Sequence, residues 1–272
     1  MPTGQCALCL KQRPIIKSHF IAAGFQRRLR TPGVKDQRPV AMTATITKLN
    51  DRPVQEQLLC YHCDQRLARY GENWMMKNAF DGKTFPLLEK VRLAIPISAY
   101  SFPDALAYSG DWLGIDTEKL AYFALSMLWR AAVREWRISR TETLSVEISE
   151  FRKEAMRRYL LGETPFPTAF AVMATVCTDR MSQGNIFAPC EVLGGAWRPA
   201  YGLLVLGIYF RIFIGANLPR AVRYKCCVTS PHKIIFLRNC EDVSMAASSS
   251  LFPTTRLIAP LPVTPILAVQ RP

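Results

Sequence analysis

Histidine is scarce in this chain, with three among 272 residues, and none are paired at helical spacing, which excludes the two-histidine helix of hydrolytic zinc enzymes. No phosphate-binding P-loop and no G-x-S-x-G elbow occur either, so nucleotide hydrolysis and serine-hydrolase chemistry have no signature here. Long apolar runs are also missing. The most apolar stretch, 203–215, is broken by Arg211, whereas a membrane-spanning helix needs roughly 18 or more such residues; no membrane span is expected. The opening Met-Pro-Thr-Gly-Gln-Cys lacks the basic start and apolar run of a secretory signal, so a cytoplasmic protein is expected. No internal repeat is visible, which argues against a solenoid. Acidic residues are few, 21 against 35 Lys and Arg, giving a net charge of +14. Clustered cations gain affinity by displacing counterions from phosphates, and DNA or RNA is the expected partner.

About half the residues are apolar, enough for a sizeable core. The nine cysteines stand out in a chain read as cytoplasmic, since a reducing compartment keeps thiols free unless a metal or a reaction claims them. Four form two C-x-x-C pairs, Cys6 with Cys9 and Cys60 with Cys63. Two intervening residues let the backbone turn around one tetrahedral ion, so the four thiolates predict a closed structural Zn²⁺ site. The other five, Cys177, Cys190, Cys226, Cys227 and Cys240, share no zinc-type spacing and read as small buried hydrophobes.

The pattern predicts an α+β protein in three parts. Residues 1–84 form a zinc module whose polar, Arg-rich insertion, 26–57, holds a helix and then a hairpin: 42–49 alternates as a strand and 50–53 reads as its turn. A helix follows Cys63, with Leu67, Tyr70 and Trp74 on one face. Residues 85–243 form an α+β part that opens on a Pro-punctuated connection, 85–103. Helices are expected at 116–136, capped by Asp116, and at 146–161, with Ile148, Phe151, Ala155 and Tyr159 inward and Gly162 as the stop. From 167 the texture becomes strands, at 169–177, 185–192, 203–214 and 233–237, which suggests an antiparallel sheet. Residues 244–272 form a Ser- and Pro-rich extended tail.

A C-x-x-C knuckle, a short strand ending in His19, and a Leu-Leu-Cys-x-x-Cys knuckle that opens a helix resemble the zinc-containing HNH (ββα-metal) endonucleases, within a treble-clef zinc fold. The likeness covers about the first 80 residues and is greater to uncharacterised bacterial relatives in which Ser precedes the His and an acidic residue follows the second knuckle. It implies that His19 is a general base activating water against a phosphodiester, and that Asp64 holds a catalytic Mg²⁺ or Mn²⁺. The chain departs from the family at three places: Ser18 stands before the base, Gln55 replaces the Asn before the second knuckle, and Asp64 replaces the closing His. Lys17, Arg27, Arg28 and Arg30 after the first knuckle, with Arg66 and Arg69 after the second, are the candidate nucleic-acid contacts. His62 and His232 read as exposed loop and turn residues. Two functions stay open: a nucleic-acid-binding protein, with or without nuclease activity, and a non-catalytic zinc-scaffolded subunit that binds a protein through its α+β part or tail.

Overall fold

A computed structural model describes residues 2–29, 40–42, 47–49, 53–138, 142–192, 199–242 and 256–258 of the chain. In chain order the first elements are β1 (Thr3–Gln5), β2 (Gln12–His19), α1 (Ala23–Arg28), β3 (Val40–Met42), β4 (Thr47–Leu49) and β5 (Gln55–Cys60), followed by α2 (Tyr61–Leu67). A π-helical turn, Ala68–Glu72, joins α2 to α3 (Asn73–Asn78). Then come α4 (Pro86–Arg92), β6 (Ala105–Ser109), α5 (Thr117–Val133), β7 (Trp136–Arg137), β8 (Thr143–Leu144) and α6 (Glu150–Leu161). The last part holds β9 (Phe170–Cys177), α7 (Arg180–Gln183), β10 (Asn185–Glu191), β11 (Ala200–Val205), β12 (Ile208–Ile214), α8 (Arg220–Arg223), β13 (Ile234–Arg238) and β14 (Arg256–Ile258). The fold is mixed α+β, as the pattern predicts. Among the described residues no helix is long and apolar enough to cross a membrane.

A small sheet, β1-β2-β5, carries the N-terminal cysteines. The large sheet has nine strands in the order β4-β3-β14-β10-β11-β12-β9-β13-β6. Its neighbours are antiparallel except β9 and β13, which run parallel, so the expected purely antiparallel sheet is corrected at that pair. The apolar run read as one strand over 203–214 is a hairpin, β11 and β12. Its turn is Leu206 (φ 47) and Gly207 (φ 87), the two left-handed residues that a tight hairpin turn requires. The N-terminal hairpin also differs from expectation. β3 pairs with β4, so the run expected as one strand contributes two, and β5 pairs with β2. Residues 43–46 and 50–52 lie outside the described ones, as does most of the expected tail; β14 of that tail is a strand between β3 and β10.

Asp116 caps α5 as expected, accepting a hydrogen bond from the Lys119 amide at 3.1 Å, which satisfies one of the helix's free donors. Its far end stops at Val133, where the Trp136 indole donates to the Arg130 carbonyl at 2.8 Å. α5 is buried nearly all round, since one side packs on the helices after Cys63 and another faces the large sheet. A single buried cluster therefore runs from Cys6 and Leu8 through Phe123 and Leu128 to Val172 and Phe210.

Three expectations about faces change. The Pro-punctuated stretch contains α4, with Pro86 at its first position where the missing N–H costs nothing. α6 starts at Glu150, four residues later than expected, and Phe151 is exposed while Met156 and Leu160 are buried. After Cys63, Leu67 is buried but Tyr70 is exposed. The π turn is the reason: it inserts a residue into the helical repeat and brings Gly71 against α5, where a Cβ would lie 3.1 Å from the Phe123 Cα.

Candidate metal centre

The first cysteine pair occupies the turn between β1 and β2. The Leu10 amide closes the turn on the Cys6 carbonyl at 2.8 Å, and Leu10 takes the left-handed φ of 59 that so sharp a reversal needs. The second pair straddles a strand-to-helix junction: Cys60 ends β5 and Cys63 lies in the first turn of α2. Backbone bonds lock the two pieces together. Ala7 N–H donates to the Leu58 carbonyl at 3.0 Å, and Cys60 N–H donates to the Cys6 sulfur at 3.3 Å.

As a result the four sulfurs lie within 4.8 Å of one another. A Zn–S bond of about 2.3 Å in a tetrahedron puts sulfurs about 3.8 Å apart, and Cys9 Sγ and Cys60 Sγ are 4.0 Å apart. The cluster fits a zinc ion in size and donor type. Its thiols are already unequal. A hydrogen bond from Cys63 draws Cys6 down to about 4, the same bond pushes Cys63 well up, and burial raises Cys9.

Arg157, on α6, was not singled out by the sequence. Its Nη1 donates to the Leu8 carbonyl inside the first knuckle at 2.8 Å, while Nε and Nη2 hold Glu154 at 2.6 and 2.7 Å. The guanidinium also interacts electrostatically with Cys9. No sequence signal marks it, because α6 reaches the knuckle only through the tertiary fold.

His19 ends β2, and its strand partner across β5 is Gln55. The Gln55 amide donates to His19 Nε2 at 2.6 Å. Burial pushes the half-buried imidazole below its ordinary value of 6.5, with Asp64 and Glu72 acting against the shift. Ser18 is fully buried and accepts the Leu59 amide at 3.2 Å; its hydroxyl also bonds the Asp64 carboxylate. Burial raises Asp64 above the usual carboxylate range, while Arg130 opposes the rise. His19 and Asp64 thus share one electrostatic environment with two groups absent from the sequence reading, Glu72 and Arg130. Those two form a buried ion pair, Arg130 Nη1 to Glu72 Oε1 at 2.6 Å.

The candidate nucleic-acid residues separate by environment. Lys17, Arg27 and Arg69 are exposed. Arg28 is half-buried and donates to the Ala79 carbonyl at 3.4 Å, and burial lowers its pKa. Arg66 donates to the Leu160 carbonyl at 2.7 Å and stacks 4.7 Å from the Tyr70 ring, so it ties the second-knuckle helix to the end of α6. Arg30 lies outside the described residues. His62 is exposed beside Tyr61, and His232 sits in a turn between the Tyr100 and Trp112 rings. A scan against protein-family models gives no match, and neither does a search of curated proteins or of solved structures.

Proposed function

We propose that this chain is a zinc-scaffolded nucleic-acid-binding protein of the HNH-like treble-clef kind. The observation that carries the reading is the convergence of two cysteine pairs, one in a hairpin turn and one across the start of a helix, on a single four-sulfur cluster. Zn²⁺ bound by Cys6, Cys9, Cys60 and Cys63 would have a closed shell and no position for water, so it would fix the module instead of reacting. Arg157 would then act as a positioning residue, pinning the first knuckle and offsetting thiolate charge. Arg157→Ala is expected to speed zinc transfer to a colorimetric chelator by about 10-fold or more with the fold retained by circular dichroism. An unchanged rate would remove Arg157 from the centre.

Lys17, Arg27 and Arg69 are exposed on β2, on α1 and in the helical turn after α2, and with the +14 net charge they are the cations proposed to meet a DNA or RNA backbone. Binding should weaken with salt, with a log–log slope of about −0.9 for each duplex phosphate contacted. Charge reversal at Arg27 and Arg69 should weaken every sequence alike. Fluorescence anisotropy at rising salt measures both; a chain that binds neither DNA nor RNA at low ionic strength points to the protein-binding alternative.

Phosphodiester cleavage is a second reading, favoured by the shared environment of His19, Asp64 and Glu72. His19 is its general base, and a Mg²⁺ or Mn²⁺ ion bound at Asp64 would neutralise the phosphate. Gln55 now occupies the imidazole lone pair that a base needs, so substrate must displace that amide; this favours binding without cleavage as the resting state. The lowered His19 pKa keeps the ring neutral to more acidic pH, so cleavage should persist as pH falls through 6.5 and fail only below it. His19→Ala should cut the rate at least about 10²-fold with zinc content unchanged. Equal cleavage without His19, or none with either ion, ends this reading.

A further inference from the structure

Outside the four-cysteine cluster, the large sheet brings together three metal-ligating side chains that no sequence spacing connects. Cys177 is the last residue of β9. Asp179 stands two residues later, at the start of α7, and Cys240 follows β13, the strand that runs parallel beside β9. We propose that Cys177, Asp179 and Cys240 form a second cation site, which takes one thiophilic divalent ion of the zinc class through two thiolates and a carboxylate.

The three donor atoms lie within 4.8 Å of one another. Both cysteines are fully buried, against Phe187, Leu204 and Tyr209, whereas Asp179 is partly exposed. The carboxylate is held in place by two backbone donors: Oδ1 accepts the Ser182 amide at 2.7 Å and Oδ2 accepts the Cys240 amide at 2.9 Å. Each oxygen keeps a second lone pair for a metal. Ser182 is itself fully buried, and its hydroxyl bonds the Cys177 sulfur. One residue therefore orients two of the ligands, and the third ligand's own amide orients the carboxylate, which is how supporting groups fix a metal site.

Ordinary packing accounts for less of this arrangement. Asp179 also caps α7, accepting the Ser182 amide, but capping does not require two buried sulfurs beside the carboxylate. As thiols the two sulfurs bond each other and the nearby strand carbonyls, Cys177 to Thr175 at 3.9 Å and Cys240 to Arg238 at 3.8 Å, contacts that a metal ion would replace. The donor set also selects the ion. Two sulfurs and one carboxylate oxygen suit zinc or cadmium and do not suit magnesium or calcium, which require shells of oxygen. Binding replaces both thiol protons, which pass to solvent, so a neutral dithiol and a divalent cation give a dithiolate complex and two protons. Three protein ligands would leave one tetrahedral position for a water.

Cadmium titration of the full chain tests this, with metal content measured by mass spectrometry and thiolate-to-metal absorption followed in parallel. Two ions per chain are expected. Cys177→Ala combined with Cys240→Ala should lower the count to one, the ion left being that of Cys6, Cys9, Cys60 and Cys63, which separates the two sites. Asp179→Asn keeps an acceptor for the Ser182 amide, which caps α7, but loses the one for the Cys240 amide, and with it both the ligand and a tether of Cys240; it should weaken the second binding step by about 10-fold or more. The proposal is overturned by a single ion per chain at cadmium saturation, by a count of two that survives the double substitution, or by a Cys177 to Cys240 disulfide in the purified, unreduced protein.

Discussion

Cys60→Ser is expected to remove one zinc ion per chain and to unfold the N-terminal module, with a large fall in the thermal midpoint. The size of the effect follows from two magnitudes. Structural zinc contributes on the order of 10 kcal/mol to the small modules it folds, and a whole domain is stable by only about 5–15 kcal/mol. The small sheet offers limited compensation: β1 has three residues, and beyond the β2–β5 pairing the two knuckles are joined by the Ala7 to Leu58 and Cys60 to Cys6 bonds. The loss should also spread, because Cys6, Leu8, Leu59 and Phe25 belong to the same buried cluster as α5. Cys60 is the better test than Cys9, being buried where Cys9 is partly exposed. Removal of metal by a strong chelator should reproduce the substitution. Zinc content and midpoint both unchanged in Cys60→Ser would mean that these four sulfurs are a thiol cluster and hold no ion.

What the sequence disclosed was local. Each C-x-x-C pair lies within one turn of chain, so its geometry is written in its spacing, and the meeting of the pairs needed only the assumption of one ion. α5 was legible for the same reason: its apolar repeat and Asp116 cap are neighbours along the chain. Where elements meet by tertiary packing, periodicity gave wrong faces. Tyr70 was placed inward because a regular helix was assumed, and the π turn at Ala68–Glu72 shifts everything after it. The helix start, four residues later than the pattern suggests, turns Phe151 outward, and β11 with β12 reads as one apolar run because Leu206 gives no turn signal. The candidate site shows the same division. His19 and Asp64 were found through a family resemblance, but Glu72 and Arg130 were not, since no motif links a residue after the second knuckle to one on α5. Arg157 at the first knuckle and the approach of Cys177 to Cys240 were invisible for that reason too.

The ion pair that sequence reasoning missed carries the other large effect. Arg130 and Glu72 side chains are 2% and 9% exposed, so each charge depends chiefly on its partner, with Asp64 a second acid acting on Arg130. Arg130 Nη1 also donates to the Phe20 carbonyl at 3.0 Å, which fixes the chain just beyond His19. Glu72→Ala leaves a guanidinium buried without its counter-charge, and breaking such a pair from one side costs about 3–5 kcal/mol, a large part of a domain's stability. Replacing both partners by apolar residues, Glu72→Leu with Arg130→Met, should cost far less, because no charge is left stranded. Denaturant unfolding of the single and double variants reads the difference directly. The pair should also be felt at the candidate site. Glu72 raises the pKa of both His19 and Asp64, whereas Arg130 lowers both. Glu72→Gln should therefore move His19 further below 6.5 and bring Asp64 back toward its ordinary value, shifts that NMR titration resolves. A Glu72→Ala cost below about 1 kcal/mol, the range of an exposed pair, together with an unmoved His19 titration, would mean that the ion pair neither stabilises the junction nor tunes the histidine.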